Sequence, residues 1–181
     1  MRILVTAGPT REAVDAVRFL SNKSTGRMGY AIAAVAVEAG HDVILVSGPV
    51  ALTPPDGLLE FVPVVSAADM AEAVKSRAPD CGMVVMCAAV ADYTPAHPVD
   101  RKMKKADGNL FLELKRTEDI LKTLGQNKPA GQILVGFAEL SMSDKFTDIL
   151  GLDLFMCSEC RRLRHTLRDS TRFIGGGEGG R

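Results

Sequence analysis

The chain carries no surplus charge. Its 22 Lys and Arg balance 22 Asp and Glu, so no global basic field argues for a nucleic-acid partner or a membrane surface. Its four cysteines, Cys81, Cys87, Cys157 and Cys160, follow no regular framework. That excludes a disulfide-stapled miniprotein and fits a reduced, cytoplasmic setting, as does the lack of a charged start followed by an apolar run and a small-residue cleavage site. The longest apolar stretches, 32–37 and 83–91, fall well short of the roughly 20 residues that a membrane span needs. Histidine is scarce (His41, His97, His165) and no Ser, His and Asp grouping with an elbow is evident. No GxGxxG follows the first apolar run, and no Walker A sequence occurs anywhere, so the conventional dinucleotide and P-loop phosphate sites are excluded.

What is present suits one domain: 181 residues, 46% of them hydrophobic, are enough for a sizeable core. The opening MRILVTAGPT is a β-branched and aliphatic run that breaks at Gly8 and Pro9, and similar runs recur at 43–48, 60–65, 83–88, 133–138 and 152–157. Helix-like segments lie between them at 26–39, 67–77, 118–124 and 143–150, the first three stopping at Gly40, before Pro79 and at Gly125. The segment between the first strand and Gly26 also reads as helix-like. Strands alternating with helices predict an α/β fold with a mostly parallel sheet covered on both faces.

Charge is unevenly placed along this frame. Residues 1–30 hold five basic and two acidic side chains, 31–100 two basic and nine acidic, and 101–128 eight basic and four acidic. The stretch 94–114, with Pro95, Pro98, Gly108 and the cluster RKMKK, predicts an exposed basic flap whose return strand is LFLEL at 110–114. The expected domain therefore spans 1–154. Residues 155–181, with six Arg and a GGGEGGR end, are expected to form an atypical disordered tail. Cys157, Cys160 and His165 supply three zinc-type ligands there, but a lone CxxC lacks its second pair and no metal site is assigned.

In open α/β sheets ligands bind beyond the carboxyl ends of the strands. The turn at Gly8, Pro9 and Thr10 can turn backbone N–H groups toward a phosphate with Arg11 adding charge; it can equally be an ordinary exit from a strand. Ser24 or Thr25 can cap a helix beginning at Gly26, and the free N–H groups of such a helix make an anion site. Asn22 offers an uncharged amide donor beside it. Small Ala88, Ala89 and Ala91 leave room for a flat ring near the backbone, with Asp92 able to accept from an exocyclic amine or simply to cap a turn. Arg101, Lys102, Lys104 and Lys105 can close over a polyphosphate or form a solvated face.

Taken in order, AGPTREAVDAVRFLSNKSTGRMG, LVSGPVAL, CAAVADY, KMKK as a KxKK flap, RTEDIL and VGFA resemble the phosphopantothenoylcysteine synthetase family over roughly residues 1–140. The resemblance implies a Rossmann-like homodimer that joins 4′-phosphopantothenate to L-cysteine, using CTP in bacteria and ATP in eukaryotic-type relatives, with Mg²⁺ neutralising the triphosphate. It implies attack of the substrate carboxylate on the α-phosphate, giving an acyl-cytidylate and pyrophosphate, after which the cysteine amine displaces CMP. Catalytic roles fall to Asn22 at the acyl carbonyl, to Arg18 as its support one helical turn earlier, and to Lys102 of the flap in the second half-reaction. Nucleotide contacts fall to Gly8, Thr10, Ser24, Thr25, Gly26, Met86, Cys87, Ala88, Ala89, Asp92, Lys104, Lys105, Glu118, Asp119, Ile120, Leu121 and Phe137. Such chemistry needs positioning and electrostatics and no enzyme nucleophile.

Beyond Phe137 the sequence leaves the family pattern: GFAEL stands where GFAAET is usual, and Lys145 is the only lysine in the segment that follows. A decarboxylase unit often precedes this one in the bifunctional protein, so the chain is expected to be a stand-alone synthetase or an excised domain. Two rival readings stay open. One is a nucleotide-binding or dimerising protein without catalysis; the other is an NAD(P)-dependent oxidoreductase, which the missing fingerprint disfavours.

Overall fold

A computed structural model describes residues 1–104 and 107–138 together with the backbone of 154–157 and 163–165. In chain order its elements are β1 (Arg2–Ala7), β2 (Arg11–Ala13), β3 (Phe19–Ser21), α1 (Arg27–Glu38), β4 (Asp42–Ser47), β5 (Glu60–Pro63), α2 (Ala67–Arg77), a 3₁₀ turn (Ala78–Asp80), β6 (Met83–Met86), β7 (Tyr93–Pro95), β8 (Leu114–Arg116), α3 (Ile120–Gln126), β9 (Ile133–Ala138), β10 (Leu154–Cys157) and β11 (Leu163–His165).

The apolar runs become strands buried on both sides. Along β1, Ile3, Val5 and Ala7 enter one core cluster and Leu4 the other, as the two-residue period of a strand requires. β4 divides the same way, Val43 and Leu45 against Ile44 and Val46. The first cluster is closed by Tyr30 and Ala33 of α1. The second is closed by Met70, Ala71, Ala73 and Val74 of α2 with Ile120 and Leu124 of α3. Leu4, Leu45 and Leu134 are fully buried, and each contributes about 1.5–3 kcal/mol relative to exposure. Both faces are thus covered by helices, without which a parallel sheet is not stable in water.

These strands form a seven-stranded sheet in the order β11-β10-β9-β6-β1-β4-β5. Every neighbouring pair is parallel except β10 with β11. The expected Rossmann-like architecture is therefore the observed one.

Three expectations shift. The segment after β1 is not helix-like: β2 and β3 pair as an antiparallel hairpin, because the Asp15 carboxylate accepts from Val17 N and Arg18 N at 2.9 and 2.8 Å and so offers the backbone a turn in place of a helix. The return strand is not 110–114 but β8, which pairs with β7 from Tyr93↔Arg116 to Pro95↔Leu114. Ala96 N to Glu113 O at 2.9 Å extends that ladder by one step, and Pro98, with no N–H, cannot prolong it. The flap consequently leaves Leu110, Phe111 and Leu112 exposed. Third, α3 begins two residues later than expected because Asp119 caps it, accepting from Lys122 N at 2.9 Å. β10 begins at Leu154, where the expected unit ends, and β11 follows it. The helix expected at 143–150 and the rest of the tail lie outside the described residues.

One close approach is decisive for this layering. A Cβ at Gly48, just past β4, would stand 1.8 Å from Pro9 O, and one at Gly29 on α1 would stand 2.6 Å from the Ala7 Cβ. Gly48→Ala is therefore expected to cost about 3 kcal/mol, the upper end for overpacking, because backbone rather than a flexible side chain must move. Urea unfolding measures it; a midpoint equal to that of the parent would contradict this packing.

Candidate functional site

From β1 the chain first builds outward through β4 and β5, then crosses back to place β6 on the other side of β1. This reversal opens a crevice beyond the carboxyl ends of β1 and β6, where open α/β sheets bind ligands. The two exit segments are stitched together there. Ala89 N donates to Gly8 O at 2.9 Å and Thr10 N to Ala89 O at 3.3 Å. Thr6 Oγ1 accepts from Cys87 N and Ala88 N at 3.0 and 3.1 Å, and Thr10 Oγ1 from Ala91 N at 3.0 Å. Thr6 and Thr10 are both fully buried.

The start of α1 takes a different form from the expected one. Neither Ser24 nor Thr25 caps α1: the N-cap is Gly26 in the left-handed region at φ 75°, with no side-chain cap, and Ser24 Oγ instead accepts from Gly26 N at 3.3 Å. Glycine is favoured there because side chains crowd the backbone at positive φ. A Cβ at Gly26 would meet Gly8 N and Cα at 3.3 Å, so α1 starts directly against the β1 turn. Its first-turn N–H groups have no intrahelical acceptors and carry the positive end of the helix dipole. At Gly8–Thr10 the donors are mostly spent, since Pro9 has no N–H and that of Thr10 goes to Ala89 O. Arg11 lies over the Phe19 ring at 4.6 Å.

Asn22 is exposed and borders this crevice. Its Nδ2 donates to Ala89 O at 3.2 Å and Val90 O at 3.0 Å, so the amide hydrogens expected to hold an oxyanion are engaged, and the open atom is the acceptor Oδ1. Arg18 is not one helical turn before it but at the end of the hairpin turn, bonded through its guanidinium to the buried Asp15 carboxylate. The Arg18 hydrogen bonds, joined by the N–H groups of Val17 and Met103, outweigh burial and hold the Asp15 carboxyl well below the usual carboxylate range.

Beyond β6, the N–H groups of Cys87, Ala88, Ala89 and Ala91 are all taken inside the protein, so an approaching base would meet carbonyl oxygens. Met86 is buried in the core and Asp92 is exposed. Burial pushes the Cys87 thiol up to about 11, which keeps it protonated at neutral pH and makes it a poor nucleophile. Thr117 joins the RTEDIL segment to this loop through Oγ1 to Ala91 O at 2.6 Å and N to Asp92 O at 3.0 Å.

Four residues expected at the nucleotide have other duties. The Glu118 carboxylate pairs with Lys75 at 2.6 Å, Asp119 caps α3, Ile120 is core, and Leu121 packs on that core. Phe137 is half-buried against the α1-side cluster. Lys102 and Lys104 are exposed on the flap, and Lys105 lies outside the described residues. The structure therefore brings Gly8, Thr10, Asn22, Gly26 and 87–92 together, while Arg18 is bonded to Asp15, Ile120 enters the core, and Lys102 and Lys104 stand exposed on the flap. Thr6, Asp15 and Thr117 were not anticipated. The available signals were a lone hydroxyl inside an apolar strand and a lone carboxylate between apolar neighbours.

Residues 1–146 match the family described as "DFP: DNA/pantothenate metabolism flavoprotein C-terminal domain". The chain is 62% identical over 136 residues to the coenzyme A biosynthesis bifunctional protein CoaBC of Bacillus subtilis, covering 75% of this chain and 33% of that protein. It is 44% identical over 144 residues to the CoaBC of Mycobacterium tuberculosis, covering 76% and 34%. It thus spans about a third of the length of these curated relatives. Among solved structures it resembles the C-terminal domain of a CoaBC, with a TM-score of 0.80, 43% identity and coverage of 96% of this chain and 84% of that one. It shares its fold with a Cab2 mutant solved in complex with phosphopantothenate-cysteine, with a TM-score of 0.72, 17% identity and coverage of 90% and 75%.

Thr6→Val keeps the shape of the side chain and removes the acceptor for two buried N–H groups. It is expected to destabilise the fold by about 2–3 kcal/mol, the cost of leaving such groups unpaired. A denaturant midpoint unchanged from the parent would show that the threonine is not what holds the crevice closed.

Proposed function

Given that this chain belongs to the DNA/pantothenate metabolism flavoprotein C-terminal domain family, we propose that it is a cytoplasmic ligase that joins 4′-phosphopantothenate to L-cysteine at the expense of CTP. The observation that carries this reading is the uncapped N-terminus of α1 seated against the β1 turn at the crossover of the sheet, where oriented N–H groups favour a phosphate. Among the described residues no helix is long and apolar enough to cross a membrane.

On this reading a carboxylate oxygen of phosphopantothenate attacks the α-phosphorus, the bond to the β-phosphate oxygen breaks, and pyrophosphate leaves. The cysteine amine then attacks the acyl carbon, the acyl–oxygen bond breaks with release of CMP, and the amine proton passes to solvent. The α1 N-terminus and Lys102 and Lys104 would oppose phosphate charge, a role in which preorganised donors are most effective. Carbonyls of Cys87 and Ala88 would receive the exocyclic amine of the base, with Asp92 at the rim. Asn22 would hold the 89–90 backbone in place and present Oδ1 to a donor on the substrate. Among the described residues no three His, Cys, Asp or Glu side chains gather as a metal site. Mg²⁺, when bound with the nucleotide, would neutralise triphosphate charge.

The chain would work as a homodimer. Phe111, 88% exposed, stands with Leu110, Leu112 and Leu114 on the flap and its return, each at least 41% exposed, a contiguous apolar row that a second copy would cover.

Two measurements test these statements. Incubating the protein with phosphopantothenate, Mg²⁺ and either CTP or ATP should release pyrophosphate with CTP, and adding cysteine should yield the amide and CMP. Nucleotide binding without release would sink the ligase reading and leave a binding protein. Light scattering should find a dimer that Phe111→Asp converts to monomer; a dimer surviving that change would put the interface elsewhere.

A further inference from the structure

We propose that Asp15 is a positioning residue for the flap, tying the segment that carries Lys102 and Lys104 to the hairpin that leads into Asn22. The two oxygens of its carboxylate face different partners. Oδ1 closes the β2–β3 turn by accepting from Val17 N and Arg18 N at 2.9 and 2.8 Å. Oδ2 accepts from Arg18 Nε at 3.0 Å, from Arg18 Nη2, and from Met103 N at 3.1 Å. Met103 sits between the two exposed lysines and is itself half-buried.

A second contact follows the same route, Val99 N to Val14 O at 3.4 Å. Among the described residues the root of the flap is further held by the three-residue ladder of β7 with β8, the Ala96–Glu113 step and His97 Nε2 at 3.5 Å from Glu113 Oε2. The Asp15 side chain is wholly shielded from solvent while that of Arg18 is 47% exposed. The charged pair therefore keeps a buried acceptor ionised at the point where the flap crosses the hairpin, and hydrogen bonds to a charged acceptor are the stronger kind. Because Asn22 follows β3 directly, one carboxylate sets the distance between the flap lysines and the crevice.

Asp15→Asn separates the two duties. The asparagine oxygen can still accept from Val17 N and Arg18 N, whereas its Nδ2, in the place of Oδ2, presents hydrogens to the Met103 N–H and the Arg18 guanidinium. Amide hydrogen exchange on the intact chain, followed by NMR, should show Met103 exchanging about tenfold faster or more, with Val17 and Arg18 unchanged. The kinetic consequence rests on the ligase reading: KM for the nucleotide should rise about tenfold while kcat for pyrophosphate release changes less, the signature of misplaced binding groups rather than lost chemistry.

Met103→Pro removes the N–H while leaving Asp15 and its turn intact, and it should reproduce the rise in KM. Equal protection of Met103 in parent and Asp15→Asn overturns the proposal whatever the chain catalyses, as does an unchanged KM in both variants of an active enzyme. A parent that releases no pyrophosphate refutes the ligase reading alone, and the exchange result then decides the tether by itself.

Discussion

Two buried hydroxyls hold together the place on which everything else depends. Where the chain reverses between β1 and β6, the strands stop pairing, and the N–H groups after β6 would be left without acceptors. Thr6 and Thr10 supply them from β1 and its exit, three N–H groups to two oxygens. Buried N–H groups without partners are costly enough that native folds almost never leave them so. The loop at 87–92 is therefore held to β1 through its N–H groups, and its carbonyls take donors from elsewhere in the chain. Asn22 reaches two of these carbonyls and Thr117 two more. The remaining parts of the crevice hang from that loop.

This arrangement changes how the charges should be counted. The first thirty residues hold five basic side chains, but Arg18 is neutralised by Asp15 and Arg11 lies against Phe19. What the region offers an anion is the open end of α1 with the exposed Lys23 and Arg27 beside it, to which the flap adds the exposed Lys102 and Lys104. The zero net charge thus conceals a division: cations that fasten the fold, such as Arg77 on Glu60 and Lys75 on Glu118, and cations free to meet a ligand.

Much of the framework is legible in local pattern. Ile3, Leu4 and Val5 announce a strand buried on both faces, and Ser66 with Asp69 announces the start of α2, where both halves of a capping box form. Gly40 and Pro79 end their helices as expected. The pattern fails where a side chain competes with the backbone. REAVDAVRFLS reads as helix by composition, but the Asp15 carboxylate captures the N–H groups that a helix would have used. It fails again at LFLEL, whose alternation fits a strand that Pro98 leaves without a continuing partner.

The sequence by itself determined the class of fold, the chain order of the main sheet strands and the helices between them, the crevice segments and the family, because periodicity, glycine placement and motif order are properties of neighbouring residues. The tertiary structure alone decided which polar atoms are free. Asn22 meets Ala89 across 67 residues and Asp15 meets Met103 across 88. A hydrogen bond satisfied at that distance in the chain leaves no trace in local pattern, since its partner is fixed only when the sheet is assembled. That is why Asn22 and Thr10 could be picked out as residues by the crevice, while the atoms they offer, and the commitment of Arg18 to Asp15, could be read only from the fold.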